Sequence, residues 1–205
     1  WSPEVTEQAE DRVHRPGQTK EVQIHYVLTA NSIDGKMLDL VGQKSAALHS
    51  VLDRVAQDTD VAALLEEVYS RFGIDPEDLA FVEAHGTGTR VGDPAEAGAL
   101  GRKLGQRRQR VLPVGSVKTN VGHLEPASGV AGMLKSILAL ENEVLPASLH
   151  FQTPNPDIPF GDLNLSVASE PVAIPRGGRP RHAGINSFGF GGANAHVVVQ
   201  GSPAQ

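Results

Sequence analysis

Three times along this chain a short apolar run breaks into a loop of polar residues and glycine. FVEA leads into HGTGT (85–89), VGSV into KTNVGH (118–123), and a third run into NSFGFGGANAH (186–196). Stretches with apolar residues at helical spacing lie between them. Strand, loop and helix in alternation predict an α/β fold, a sheet with helices layered on it. In open α/β sheets, sites form where strand ends meet. The three loops are therefore read as parts of one candidate site.

The other elements follow from local signals. Residues 1–20 are polar and read as a flexible lead-in. EVQIHYVLTA (21–30) is rich in β-formers and predicts a strand, with Asp34-Gly35 at the tip of the turn after it. Helices are expected over about 43–57 (Leu48, Leu52, Val55) and 61–73, where Leu64, Leu65, Val68 and Phe72 share one face and Gly73 is the stop. Asp75 and Pro76 start a short helical turn. Strands are expected at 80–84, 111–117, 164–174, 183–190 and 193–201. Asp93 as cap, with Pro94, opens a helix to about Leu104. Another covers about 126–142, and its Ala127, Gly129, Ala131 and Gly132 allow close packing on a neighbour.

Composition narrows the function classes. The 205 residues suffice for a sizeable core. No apolar run approaches the ~20 residues of a membrane span, and the N-terminal stretch has no secretory core, so a cytoplasmic location and no membrane partner are expected. Net charge is −6, with six Phe, two Tyr and one Trp, and no basic–aromatic stripe, which argues against nucleic acid. The basic run Arg102–Arg110 reads as a solvated helix end, the sharper alternative being a landing patch for an acidic partner. With no cysteine, disulfides, Cys-type zinc sites and a cysteine nucleophile on this chain are all excluded.

The loops offer two histidines, His85 and His123, the ammonium of Lys118, the hydroxyls of Thr87 and Thr89, and glycines beside Phe190. Two imidazole N–H donors suit an oxyanion or enolate developing on a carbonyl. A lysine holds a carboxylate or orients a histidine, and the threonines suit an extended amide-bearing substrate. Together these fit acyl transfer or carbon–carbon bond formation on a thioester. His14, His25, His49, His150, His182 and His196 are read as structural. No metal-binding spacing such as H-E-x-x-H occurs, and GFGG lacks a P-loop context. Glu83 and Glu125 are candidate acids or bases, Glu125 more simply standing at a helix start before Pro126.

VEAHGTGTRVGDPAE, GSVKTNVGHLEPASGVAG and INSFGFGGANAHVVV resemble, in this order, the three signatures in the C-terminal half of β-ketoacyl synthases, above all the ketosynthase domains of type I polyketide synthases and multifunctional fatty acid synthases. LPASLHFQTPNPDIPF (145–160) is similar to the family's segment between the second and third. The resemblance runs from about Asp75 to Val199. It implies that 21–205 form the C-terminal half of a thiolase-like fold, layered α-β-α-β-α when complete. It implies decarboxylative Claisen condensation of an acyl group, held on a cysteine of the first half, with a malonyl-type unit on the phosphopantetheine arm of acyl carrier protein. No cofactor bound by the chain is implied. The implied partners are a Cys-bearing N-terminal half, in the same or a separate chain, and acyl carrier protein, in a dimeric assembly.

On the same resemblance His85 and His123 correspond to the catalytic histidines and Lys118 to the lysine supporting the second of them. Thr87 and Thr89 correspond to threonines gripping the pantetheine arm, and Phe190, with Gly191 after it, to the gating and oxyanion-hole segment. Asn194 organises that loop. The chain departs from the family's pattern over 21–72, where TANSIDGK has one residue more between Asn31 and Asp34 than the family's Asn-x-Asp-Gly and about one extra helix follows. Without the cysteine, the alternatives are a non-elongating protein that holds, transfers or decarboxylates acyl groups, and a carrier-binding or dimerising scaffold.

Overall fold

The computed structural model describes residues 58–175, 181–189 and 193–201. The strand expected at 21–30, its turn, and the helix at 43–57 lie outside the described residues, as do Phe190 and Gly191.

Helix α1 (Asp58–Phe72) comes first. Val61, Leu65 and Tyr69, spaced by one helical turn, line its buried face. Phe72, expected on that face, is 67% exposed beneath the Arg71 guanidinium. The face turns on Tyr69 rather than Leu64 and Phe72, because Tyr69 has a polar partner inside. Gly73, at φ +60°, ends the helix, and the Ile74 amide returns to the Tyr69 carbonyl at 3.0 Å. Asp75 accepts the Glu77 N–H at 2.9 Å and starts the turn Pro76–Asp78, as expected.

Strand β1 (Leu79–Glu83), helix α2 (Gly92–Lys103) and strand β2 (Leu112–Gly115) follow. Helix α2 starts one residue before the expected cap. Asp93 lies in its first turn, with its carboxylate turned back to the Gly88 amide at 3.0 Å, while the Thr89 hydroxyl accepts the Gly92 N–H at 3.1 Å. A four-residue helix, α3 (Lys118–Val121), occupies the loop after β2, and Gly122 at φ +73° ends it. Helix α4 spans Ser128–Glu141, after a turn at Glu125–Ala127. The strand expected over 164–174 is two strands in two sheets, because the chain turns at 168–171. Strand β3 (Val144–Leu145) pairs antiparallel with β5 (Val172–Ala173), whereas β4 (Leu165–Val167) joins the main sheet. Strands β6 (His182–Phe188) and β7 (Asn194–Gln200) form the closing hairpin.

The main sheet runs β4-β2-β1-β6-β7, with only β7 antiparallel. A mixed sheet with an antiparallel edge is ordinary for α/β layers. Its register shifts between Leu79 and Phe81. Leu79 and Val82 face a core shared with α1 and α2, whereas Phe81 faces Leu140, Leu145 and Ile174 on the other side. Burial of each such side chain contributes about 1.5–3 kcal/mol. Of the small residues expected to pack here, Gly129 and Gly132 do, since a Cβ on Gly129 would lie 2.8 Å from Ser187 Oγ and one on Gly132 3.1 Å from Glu83 Cγ, whereas Ala127 is exposed in the turn before α4. The parallel order of β2, β1 and β6 brings the loops after them to one edge of the sheet.

Candidate active site

At that edge the rings of His85 and His123 make a T-shaped contact, centroids 5.4 Å apart and planes at 83°. Each ring meets a backbone amide through Nδ1. Phe188 N donates to His85 Nδ1 at 3.3 Å, and Glu125 N donates to His123 Nδ1 at 3.0 Å. An imidazole nitrogen that accepts carries no proton, so in both neutral rings the proton is on Nε2. Glu125 stands at φ +50°, a region costing a non-glycine residue of order 1–3 kcal/mol, and this bend aims its N–H at His123. Burial, with the nearby Lys118 and His123, pushes the His85 pKa down to about 3, so the ring is neutral at pH 7.

The Lys118 ammonium donates to the His85 carbonyl and lies 3.5 Å from His85 Nδ1, which places it on the first histidine, where the resemblance implies support of the second. Burial lowers its pKa, opposed by the carboxylates of Glu96, Glu83 and Asp93. The Thr87 and Thr89 hydroxyls are 3.4 Å apart. Asn194 opens β7 opposite Phe188, and the hairpin closes with Gly189 N donating to Ala193 O at 2.9 Å.

Two buried carboxylates anchor the loops. Glu96 accepts the amides of His85 and Gly86 at 2.8 and 2.9 Å, one on each oxygen. Glu83 accepts the Val117 amide, just before Lys118, and the Lys135 ammonium at 2.6 Å. Glu83 is thus engaged as an anchor, and Glu125 serves through its backbone. Two site residues, Glu96 and Phe188, are missed by sequence reasoning; the Phe188 ring lies 5.3 Å from that of His85 at 49°. Phe188 stands in the same SFGF run as Phe190, the residue that sequence reading singles out. Glu96 carries a weaker signal, as an acid on a helix of mostly small residues. Among the described residues no group of three or more His, Cys, Asp or Glu is placed to hold a metal ion.

The basic run after α2 is tied down. Lys103 and Arg107 both bind Glu66, Arg110 binds Glu77 at 3.0 Å, and the buried Arg108 donates to the carbonyls of Pro76 and Leu79. The solvated-helix-end reading fits only in part: Arg102 and Lys103 close the helix, whereas Arg108 is buried and the cations beyond the helix serve local contacts.

The sheet order, the helices on its two faces and the paired histidines define an α/β domain of ketosynthase type. Residues 41–152 match the family described as Beta-ketoacyl synthase, C-terminal domain, and residues 154–205 match the Ketoacyl-synthetase C-terminal extension. The chain belongs to the β-ketoacyl synthase family, and what it spans is that family's C-terminal domain. The match begins at residue 41, upstream of where the signatures alone place it. The chain is 56% identical over 144 residues to polyketide synthase GfsA of Streptomyces halstedii, covering 69% of this chain and 2% of that protein. It is 50% identical over 140 residues to a phenolphthiocerol/phthiocerol polyketide synthase of Mycobacterium tuberculosis, covering 67% and 8%. Among solved structures, ketosynthase twelve of the bacillaene polyketide synthase from Bacillus amyloliquefaciens superposes with TM-score 0.68 at 36% identity, over 71% of this chain and 26% of that one. The ketosynthase from module 6 of the bacillaene synthase of Bacillus subtilis gives 0.68 and 36%, over 72% and 28%. The chain therefore spans only a small part of each of these proteins. No described helix is long and apolar enough to cross a membrane.

Proposed function

We propose that this chain supplies the histidine half of a condensing site that joins acyl and malonyl thioesters on acyl carrier protein, and that a Cys-bearing N-terminal half supplies the nucleophile. The carrying observation is the state of the two rings. His85 and His123 each have Nδ1 occupied by a backbone N–H, so each offers Nε2–H as a donor. A neutral imidazole held this way stabilises charge that develops on an oxygen without first delivering a proton.

In the proposed reaction the bond between the malonyl α-carbon and its carboxylate breaks. Carbon dioxide leaves, and the electron pair moves into the enolate, placing charge on the thioester oxygen. The Nε2–H groups of His85 and His123 donate to that oxygen. The α-carbon then attacks the acyl thioester on the partner half's cysteine, the new carbon–carbon bond forms, and the thiolate departs. Lys118 acts on His85: its charge adds to burial in lowering the pKa of the ring, and its hydrogen bond fixes the His85 carbonyl. Thr87 and Thr89 contact the amides of the pantetheine arm. Phe190, Gly191 and Asn194 belong to the loop over the acyl carbonyl, and Phe188 backs His85.

The need for a second half is supported by the absence of cysteine and by the surface of α4. Val130, Leu134, Ile137 and Leu138 form an apolar stripe, three of them 55–56% exposed. Apolar stripes of this kind mark interfaces. The α4 stripe is assigned to the Cys-bearing half, in the same longer chain or a separate one, with residues 21–205 as the C-terminal half-domain. Acyl carrier protein brings the extender, the chain itself binds no cofactor, and the assembly is dimeric and cytoplasmic.

The test is reconstitution with the Cys-bearing half and product analysis by mass spectrometry. The reading expects a chain extended by two carbons, lost in His85→Ala and in His123→Ala. Acyl transfer or decarboxylation without extension, or extension that survives both substitutions, overturns it.

A further inference from the structure

Glu96 holds the His85–Gly86 turn, and it is itself the end of a buried chain of hydrogen bonds. Tyr69 Oη lies 3.1 Å from His196 Nε2, His196 Nδ1 lies 2.6 Å from Asn186 Oδ1, and Asn186 Nδ2 lies 2.8 Å from Glu96 Oε1. All four side chains are at most 8% exposed. They come from four elements, α1, β7, β6 and α2, and the chain ends on the backbone that carries His85.

Its direction is fixed by chemistry. A carboxylate that takes the N–H groups of His85, Gly86 and Asn186 only accepts, so Asn186 turns its NH₂ to Glu96 and its oxygen to His196. His196 must then donate from Nδ1. Its Nε2 is left as an acceptor, and the Tyr69 hydroxyl donates to it. Burial pushes the His196 pKa down to about 4, consistent with a neutral ring. The fold also leaves room for this chain alone: a Cβ at Gly184 would lie 2.9 Å from His196 Cε1 and 3.0 Å from Tyr69 Oη.

We infer that Tyr69, His196, Asn186 and Glu96 form a one-directional relay that sets the His85–Gly86 turn, with His196 a positioning residue held as its Nδ1–H tautomer. The effect on turnover rests on the proposed role of His85, whereas the effect on the turn does not.

The first measurement needs no substitution. Nitrogen-15 NMR of the histidine-labelled chain at pH 7, bound to its Cys-bearing half, is expected to show His196 protonated at Nδ1 and bare at Nε2. The opposite tautomer overturns the relay. The second is amide exchange in Asn186→Ala and the milder Tyr69→Phe. Exchange at His85 and Gly86 is expected to rise by more than about tenfold in Asn186→Ala, and by less in Tyr69→Phe, while Leu112–Gly115 is unchanged. The kcat falls roughly 10- to 100-fold with KM little altered, because a displaced group loses mainly transition-state contacts. Parent-like exchange at both amides overturns the inference. Faster exchange with turnover indifferent to both Asn186→Ala and His85→Ala supports the relay and defeats the condensing role. Loss of turnover in His85→Ala, with Asn186→Ala matching the parent in exchange and rate, does the reverse.

Discussion

The Lys135 ammonium lies 2.6 Å from Glu83 Oε2, and the two side chains are only 11% and 2% exposed. This ion pair joins the end of β1 to the middle of α4, and the other Glu83 oxygen holds the amide that precedes Lys118. A buried pair of this kind is costly to break from one side, because the remaining charge has no solvent. Lys135→Met should lower the unfolding free energy by about 3–5 kcal/mol. The double variant Glu83→Gln, Lys135→Met should lose clearly less. Urea unfolding of the three proteins checks this, and equal losses in the single and double variants would refute the pairing.

Lys118 should be felt in the titration of His85. Burial is the largest cause of the depressed pKa of about 3, and the Lys118 charge the next. Lys118→Met should therefore raise the His85 pKa without restoring it to the ordinary value near 6.5. Titration of the labelled ring by NMR reads this directly. An unmoved pKa would show that the ammonium does not act on the ring.

The buried His196 and the half-buried His85 predict a pH slope in stability. Both have folded pKa values below the ordinary one, about 3 for His85 and about 4 for His196, so between pH 6.5 and about 4 the unfolded chain binds more protons than the folded one. Their contribution makes stability rise with pH across that window and fall on acidification. The raised pKa values of Glu96 and Asp93 act with the opposite sign at the lower end. His196→Gln should flatten the slope between pH 6.5 and 4, as read by urea midpoints at several pH values. A slope equal to the parent's would contradict a buried neutral His196.

The apolar stripe on α4 should govern assembly. Leu134→Lys places a charge at a position 55% exposed, with little effect on the chain's own core. It should weaken binding to the Cys-bearing half by more than about 2 kcal/mol, the scale of an interface hot spot. Sedimentation or native mass spectrometry measures this. Undiminished affinity would place the interface elsewhere.

How much of this is legible in sequence depends on how far apart the partners stand. His85, His123 and Lys118 announce themselves because each lies in a polar-glycine loop after a strand, and parallel strand order does the rest. Gly73 and Asp75 act locally and fall where local rules put them. The anchors are different in kind. Glu96 reaches His85 from the next helix, Lys135 reaches Glu83 across 52 positions, and Tyr69 reaches His196 across 127. Nothing in the neighbourhood of His196 distinguishes it from an ordinary core histidine. The Asp93 signal misplaces the helix start by two residues, since the cap is Val91 and the Asp93 carboxylate serves the Gly88 amide instead. The run 164–174 reads as one strand, since its break at 168–171 is set by pairing with β3, which local propensity does not encode.

The most direct test of the condensing role is carbon dioxide release from malonyl-acyl carrier protein by the complex of this chain with its Cys-bearing half. His85→Ala and His123→Ala should each slow release by about 10²–10³-fold, the usual effect of removing one oxyanion donor. Release at the parent rate in both variants would show that these imidazoles do not stabilise the enolate.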